Sequence, residues 1–400
     1  MNKIPLIVLA AGNGTRLRPL TATIPKPMIQ FLGKPICGHT IDNALPFISE
    51  IIFVVGVHKE KIIEYFKTNY QSISVSYIDQ DERKGTAHAL QRASEKVEGG
   101  KFYVAYGDDI YESELFEKLS EVEEGLIGQK KENWKSFGIL QTNPNRDLIK
   151  IVEKPEEFIG DFVNTGLYKF DKEIFALFDK ISLSKRGEYE LTDLVSSYAK
   201  THTLIVVRVE SGWYPLSFPW NILDVVEILA SKIQSQNLGT VEDGAVLKGN
   251  IHIGKGTIVK AGAYIQGDFY IGENCVIGPN CFLKGFGSIG DDCIVGNATE
   301  ISRSVIGSHV GINHLSYIGN SVVGNNVNLG GGTIAANLRI DGEPVRMMVN
   351  GMLINTGKKK LGTVIGDNAK TGVHTSIMPG RKIDTGAHTL PGSIIKEDVI

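Results

Sequence analysis

The sequence predicts two domains: an N-terminal Rossmann-like α/β domain with a mixed, mainly parallel sheet, and a C-terminal parallel β-helix. Three observations carry this reading. The chain has 400 residues, more than one ordinary hydrophobic core accommodates. Residues 1 to about 225 alternate strand-like apolar runs with helical ones. From Val241 onward an aliphatic residue recurs at every sixth position.

In the first half, Ile4–Leu9 reads as a buried strand. It is too short to span a bilayer and lacks a signal-peptide cleavage pattern. Ile51–Gly56 is a strand, Lys59–Tyr65 a helix, Val75–Ile78 a strand, Ala87–Lys96 a helix and Lys101–Tyr106 a strand. This alternation builds a mainly parallel sheet covered on both faces. Ligands of such sheets bind at the carboxyl ends of the strands. The domain runs over 1–225. The apolar run Ile222–Ser235 is helical, and a helical linker is placed at 226–240.

The second half, 241–400, keeps a strict period: Val241, Leu247, Ile253, Val259, Ile265, Ile271, Ile277, Leu283, Ile289, Val295 and Ile301. Neither a helix nor a flat sheet requires period six. A coil with three short faces does, because each face turns one aliphatic side chain inward, and this is the hexapeptide β-helix pattern. The frame slips by one near Ile306 and again near Val323, and resumes at Ile365, Thr371, Ile377 and Ile383. Between them, 337–361 has no period and reads as a loop or hairpin inserted into the solenoid.

Composition narrows the function. Net charge is −3 and the apolar fraction is 42%. No basic stripe or charge block suggests nucleic acid or a membrane surface as partner. Cys37, Cys275, Cys281 and Cys293 form no C-x-x-C pair and no Cys/His cluster, which argues against disulfides and zinc. A soluble cytoplasmic protein is expected.

The stretch VLAAGNGTRLRPLTATIPKPM (Val8–Met28) fits neither the P-loop nor the G-x-G-x-x-G fingerprint, since position 17 is Leu. Gly12 and Gly14 still let backbone N–H groups approach an anion. Arg16 and Lys26 add cations of the kind that a triphosphate attacked at its α-phosphorus requires. Asp108, at a strand end, can ligate Mg²⁺ or cap the helix that follows it.

The stretch resembles the signature of sugar-1-phosphate nucleotidylyltransferases, with Leu9, Ala10, Ala11, Gly12, Gly14 and Thr15 in the nucleotide-holding loop. Gln80 and Gly85-Thr86-Ala87-His88 resemble the family's base- and sugar-reading segment. Tyr106-Gly107-Asp108 resembles its metal site, Glu153-Lys154-Pro155 its sugar-binding E-K-P, and Asn164-Thr165-Gly166 its N-T-G. The same resemblance places Gly138 among the nucleotide- and sugar-binding positions. It implies Arg16 and Lys26 as catalytic cations and Mg²⁺ as cofactor. Many family members carry a second metal-binding Asp in W-x-D-x-G. Here the segment is Trp213-Tyr214-Pro215-Leu216-Ser217, and the carboxylate is replaced by Pro215. Asn221 supplies a ligand oxygen, as an asparagine does in some relatives, or caps the linker helix.

The solenoid has two readings: a platform for assembly or regulation, or an acyltransferase. The run from Asn313-His314 through Tyr317, Asn326–Thr333 and Ala336-Asn337 resembles the acetyltransferase half of bifunctional GlmU-type enzymes. The resemblance covers the whole chain in order. The insertion resembles that of the archaeal branch. It implies a left-handed β-helix that packs as a homotrimer or a multiple of trimers, with acetyl-CoA as co-substrate. His314 is then the general base, and Tyr317, Asn328, Gly331 and Asn337 line the site. Lys284 stands where bacterial relatives have an arginine. Ser302, with Arg303 beside it, stands where they have a lysine. The expected reactions are acetylation of glucosamine or galactosamine 1-phosphate and nucleotidyl transfer from UTP or dTTP to N-acetylglucosamine 1-phosphate or glucose 1-phosphate with release of pyrophosphate. The alternative is a monofunctional nucleotidylyltransferase with a trimerisation or regulatory platform.

Overall fold

The computed structural model describes residues 3–400. The chain divides into two compact units: Met1–Asn13, Pro25–Met28 and Ile36–Pro215 in the first, and Gly14–Ile24, Ile29–Pro35 and Leu216–Ile400 in the second.

The first unit is built on a ten-stranded mixed sheet. Ile4–Ala10 lies at its centre, parallel to Ile48–Val55 on one side and Lys101–Tyr106 on the other. Its side chains Leu6, Ile7 and Val8 are at most 1% exposed, so the strand reads as a continuous apolar run, as strands covered on both faces do. Beyond Lys101–Tyr106 the pairing turns antiparallel through Phe162–Asp171, Gly138–Thr142 and Leu148–Glu153. The strands expected at 51–56 and 75–78 occupy Ile48–Val55 and Ile73–Asp79. The helix expected over 87–96 is Thr86–Ala93. It ends in a tight turn in which the Lys96 N–H reaches Ala93 O at 3.0 Å.

The second unit is a stack of parallel coils, and its registers account for the sequence period. Ile265 pairs with Leu283 and Leu283 with Ile301, eighteen residues per coil, which is three hexads. Ile301 then pairs with Ile318, seventeen residues on, and Ile306 with Val323. The register shift falls between Lys284 and Gly287 and their partners Ser302 and Ser304. The one-residue slips of the sequence are therefore shortened corners. Val322 pairs with Val364, forty-two residues on. The excess contains an antiparallel hairpin, Arg346–Val349 with Met352–Asn355.

The inward aliphatics form one continuous core from Ile251 to Ile395. All four cysteines are free and buried. Ile277 is fully buried in this column. Ile277→Ala should cost about 2–5 kcal/mol, because stacked coils cannot collapse around the void. Urea unfolding followed by circular dichroism measures it.

The helix placed at 226–240 lies earlier, at Pro219–Ala230, and belongs to the second unit. Pro219 occupies its first turn, where a missing N–H costs nothing. Strand pairing with the solenoid already begins at Gln236. No helix among the described residues is long and apolar enough to cross a membrane.

Candidate active sites

In the first unit the carboxyl ends of the three central strands meet. The Gly107 N–H donates to Leu9 O at 2.9 Å, joining Leu9–Ala11 to the Tyr106-Gly107-Asp108 turn. Lys26, carried on the Lys26–Met28 turn, places its ammonium 2.5 Å from Asp108 Oδ2. The lysine side chain is 7% exposed and the aspartate 39%. A buried ammonium needs a charged partner, and Asp108 is that partner. The neighbouring carboxylate is turned to a structural bond, since Asp109 Oδ2 accepts the Trp213 indole N–H at 3.0 Å. Pro215 is in register with Asp109, so the departure from W-x-D-x-G lies against this turn. Among the described residues no group of three His, Cys, Asp or Glu is placed to hold a metal. A single strand-end carboxylate suits Mg²⁺, which binds through one or two carboxylates and takes its other oxygens from phosphate and water.

Gly12 has nothing within 4 Å of an added Cβ, so its backbone is open to a ligand. Asn13 is held by Arg83 through a hydrogen bond to its side-chain oxygen. Gly14, Thr15 and Arg16 group with the second unit. There the Arg16 guanidinium lies 5.6 Å from the Phe218 ring centroid, and Asn350 donates to the Thr15 hydroxyl at 3.3 Å. Asn221 takes the capping role: its Oδ1 accepts the Phe218 N–H at 3.0 Å. That bond uses one of the two lone pairs on the oxygen.

Gln80 is buried and donates to Gly85 O at 2.9 Å. Thr86 Oγ1 accepts the Leu191 N–H at 2.9 Å. The Gly85-Thr86 segment is thus fixed from both sides. Tyr106 packs flat on Gly166, where any Cβ would overlap its ring. This accounts for the glycine of the N-T-G run. Asn164 donates to the Tyr168 hydroxyl at 2.7 Å. Burial pushes the Tyr106 phenol well above its usual value, with Tyr168, Glu153 and Asp108 adding to the shift; the hydroxyl stays neutral.

Gly138 and Glu153 are register partners, and an added Cβ at 138 would lie 3.0 Å from Glu153 Oε1. The absent side chain leaves room for that exposed carboxylate. On the sugar-binding role that the resemblance implies for Glu153, Gly138→Ala, whose Cβ would also meet Ile151 Cγ2 at 2.9 Å, should displace the carboxylate and raise KM for the sugar phosphate about tenfold, one lost hydrogen bond to a charged group, in steady-state assays. Lys154 is exposed, with φ 43, and its N–H is bonded to Phe137 O at 3.1 Å.

In the solenoid, His314 ends the strand Gly311–His314 and is exposed. Its carbonyl accepts from Ser316 Oγ at 2.8 Å and from the Gly332 N–H at 3.1 Å. Gly331 of the next coil would place a Cβ 3.5 Å from His314 Cβ. Asn328 is exposed and in register with Gly311. Asn337 donates to the Tyr317 hydroxyl at 3.0 Å and to Asn320 Oδ1 at 2.8 Å; the sequence reading missed Asn320. Lys284 is paired with Glu300 at 2.6 Å. Ser302 is 2% exposed, whereas Arg303 is exposed at a left-handed corner, φ 47, with its side chain lying over Gly285. Among the described residues the free cation of this corner is therefore Arg303. In the insertion, Lys358 is paired with Asp224 at 2.5 Å.

A glycine turn at the carboxyl end of a central parallel strand, with a buried lysine and a strand-end aspartate, fits the class of nucleotidyltransferases. A family profile described as nucleotidyl transferase matches residues 6–221, and one described as GMPPB C-terminal domain matches 265–370. The chain is 37% identical to the bifunctional protein GlmU of Methanocaldococcus jannaschii, over 98% of this chain and 95% of that one. It is 38% identical to the bifunctional sugar-1-phosphate nucleotidylyltransferase/acetyltransferase of Sulfurisphaera tokodaii, over 98% and 97% of the two chains. A crystal structure from Bacillus anthracis, described as a glucose-1-phosphate thymidylyltransferase, superposes with a TM-score of 0.52 at 26% identity, covering 58% of this chain and 98% of that one. The chain belongs to the family of bifunctional GlmU-type sugar-1-phosphate nucleotidylyltransferase/acetyltransferases.

Proposed function

We propose that the first unit condenses UTP or dTTP with N-acetylglucosamine 1-phosphate or glucose 1-phosphate and releases pyrophosphate. We further propose that the solenoid transfers acetyl from acetyl-CoA to glucosamine 1-phosphate or galactosamine 1-phosphate. The observation that carries the first activity is the pairing of buried Lys26 with Asp108 beside the open Gly12 backbone. No covalent intermediate is needed, since the sugar phosphate oxygen is already a nucleophile and positioning with charge neutralisation suffices. Asp108 would hold Mg²⁺, which supplies charge neutralisation at the phosphates. Lys26 would carry the remaining phosphate charge, Gln80 and Gly85-Thr86 would read the base, and Glu153 and Asn164 the sugar hydroxyls.

The second activity rests on His314 overhanging Gly331, with Asn328, Tyr317 and Asn337 on adjacent coils. An ammonium must lose a proton before its nitrogen attacks a thioester, and an imidazole takes that proton at neutral pH. Arg303 is the proposed cation for the acceptor phosphate. We read the solenoid as left-handed and the assembly as a homotrimer or a multiple of it, working in the cytoplasm. The test is thiol release from acetyl-CoA with glucosamine 1-phosphate beside galactosamine 1-phosphate. Release with either acceptor is expected. Its absence from protein that still makes sugar nucleotide would leave the solenoid as a platform.

A further inference from the structure

The coil that carries Asn328–Thr333 passes between two imidazoles. On one side stands His314, since Asn328 is in register with Gly311 of its strand. Its Cδ2 lies 4.0 Å from the position of a Cβ at Gly331. On the other side stands His374, since Asn328 is also in register with Lys370 of the following coil. Its ring lies over Gly332, where an added Cβ would sit 2.6 Å from Nδ1. Neighbouring strands are about 4.8 Å apart, so the two rings start two spacings apart and overhang one row without side chains, Gly330–Gly332.

The row is tied to both histidines. The His374 N–H donates to Gly331 O at 2.8 Å, and the Gly332 N–H donates to His314 O at 3.1 Å. Among the described residues, the Gly331 N–H has no acceptor. An N–H left without an acceptor on the row that both imidazoles border is a donor for a carbonyl oxygen that gains charge. A carbonyl seated there directs its entering and leaving groups to opposite sides, one toward each ring.

We propose that His374 donates the proton to the departing sulfur in acetyl transfer. The inference rests on the acetyltransferase reading above. The amine nitrogen attacks the thioester carbonyl and a C–N bond forms. The C–S bond breaks and its electron pair goes to sulfur, which takes a proton from the His374 imidazolium. His314 takes the proton lost by the amine, and exchange with water restores both rings. A thiol of the cysteine kind has a pKa of about 8.5, so the sulfur ends as the thiol at neutral pH, and a proton delivered as the C–S bond breaks assists its departure.

The test varies the leaving group. His374→Asn keeps a residue type that tolerates the left-handed corner, φ 56 at this position. With acetyl-CoA and an aminosugar phosphate, kcat/KM should fall about 10²-fold. With S-phenyl thioacetate, whose acidic thiol needs no proton to leave, the loss should shrink to about threefold or less. His314→Asn should lose activity on both donors, because the amine still needs its base. Nucleotidyl transfer and the urea midpoint should not move in His374→Asn. Undiminished turnover of acetyl-CoA by His374→Asn, or equal losses on both donors, would overturn the proposal. A wild type that releases no thiol from acetyl-CoA would instead sink the acetyltransferase reading, and this role with it.

Discussion

Lys26→Met should lower pyrophosphate release by about 10²- to 10³-fold, the usual cost of removing one charge that stabilises a transition state, and leave thiol release unchanged. Methionine retains the buried stem of a side chain that is 7% exposed, so the fold survives. Asp108, at 39% exposure, regains water in place of its partner and carries little penalty. The ion pair implies an exchange. On the proposed reading, the Lys26 ammonium neutralises Asp108 until a triphosphate binds, whose phosphates would compete for the lysine and free the carboxylate for a cation. Asp108→Asn should therefore differ in kind from Lys26→Met. It should raise the Mg²⁺ concentration at half-saturation, whereas the lysine variant should lower kcat at saturating Mg²⁺. Pyrophosphate release titrated with Mg²⁺ for both variants separates these outcomes. A shared shift in Mg²⁺ dependence would mean that the two residues act only as a pair.

The solenoid was legible in the sequence because each coil repeats the same demand: one inward aliphatic per face and a tight corner. Even the slips at Ile306 and Val323 were visible, and they emerge as coils of seventeen residues. The first unit was legible to the level of strand and helix. Its pairings were not, because Lys26 and Asp108 are joined only through the sheet. Asp108 was legible from its strand-end position and its motif, whereas the bond that ties Asp109 to the Trp213 indole was not, because the two lie more than a hundred residues apart. At Asn221 the cap is made by a local bond from the Phe218 N–H, and the second lone pair of that oxygen stays open to the other role. No sequence signal marks Gly14–Ile24 as grouping with the C-terminal unit, where Thr23 hydrogen-bonds Asp367 and the Thr385 hydroxyl donates to Pro19 O. Such bonds between residues more than three hundred apart leave no period or motif behind them.

His314→Ala should reduce thiol release about 10²- to 10⁴-fold, the range for loss of a general base, with nucleotidyl transfer intact. The backbone at this position does not depend on the side chain. The His314 carbonyl is held by Ser316 Oγ and the Gly332 N–H, and the register with Asn297 is a main-chain ladder. Among the described residues no carboxylate pairs with the His314 imidazole, so deletion strands no buried charge. The loss should therefore appear in kcat and not in thermal stability. It should also be conditional on the acceptor. Hydroxylamine, which is neutral at pH 7, presents a nitrogen that needs no prior deprotonation, and His314→Ala should turn it over with most of the deficit removed. Thiol release with glucosamine 1-phosphate and with hydroxylamine, wild type beside variant, measures this. A deficit of the same size with both acceptors would assign His314 to shaping the pocket instead of taking the proton.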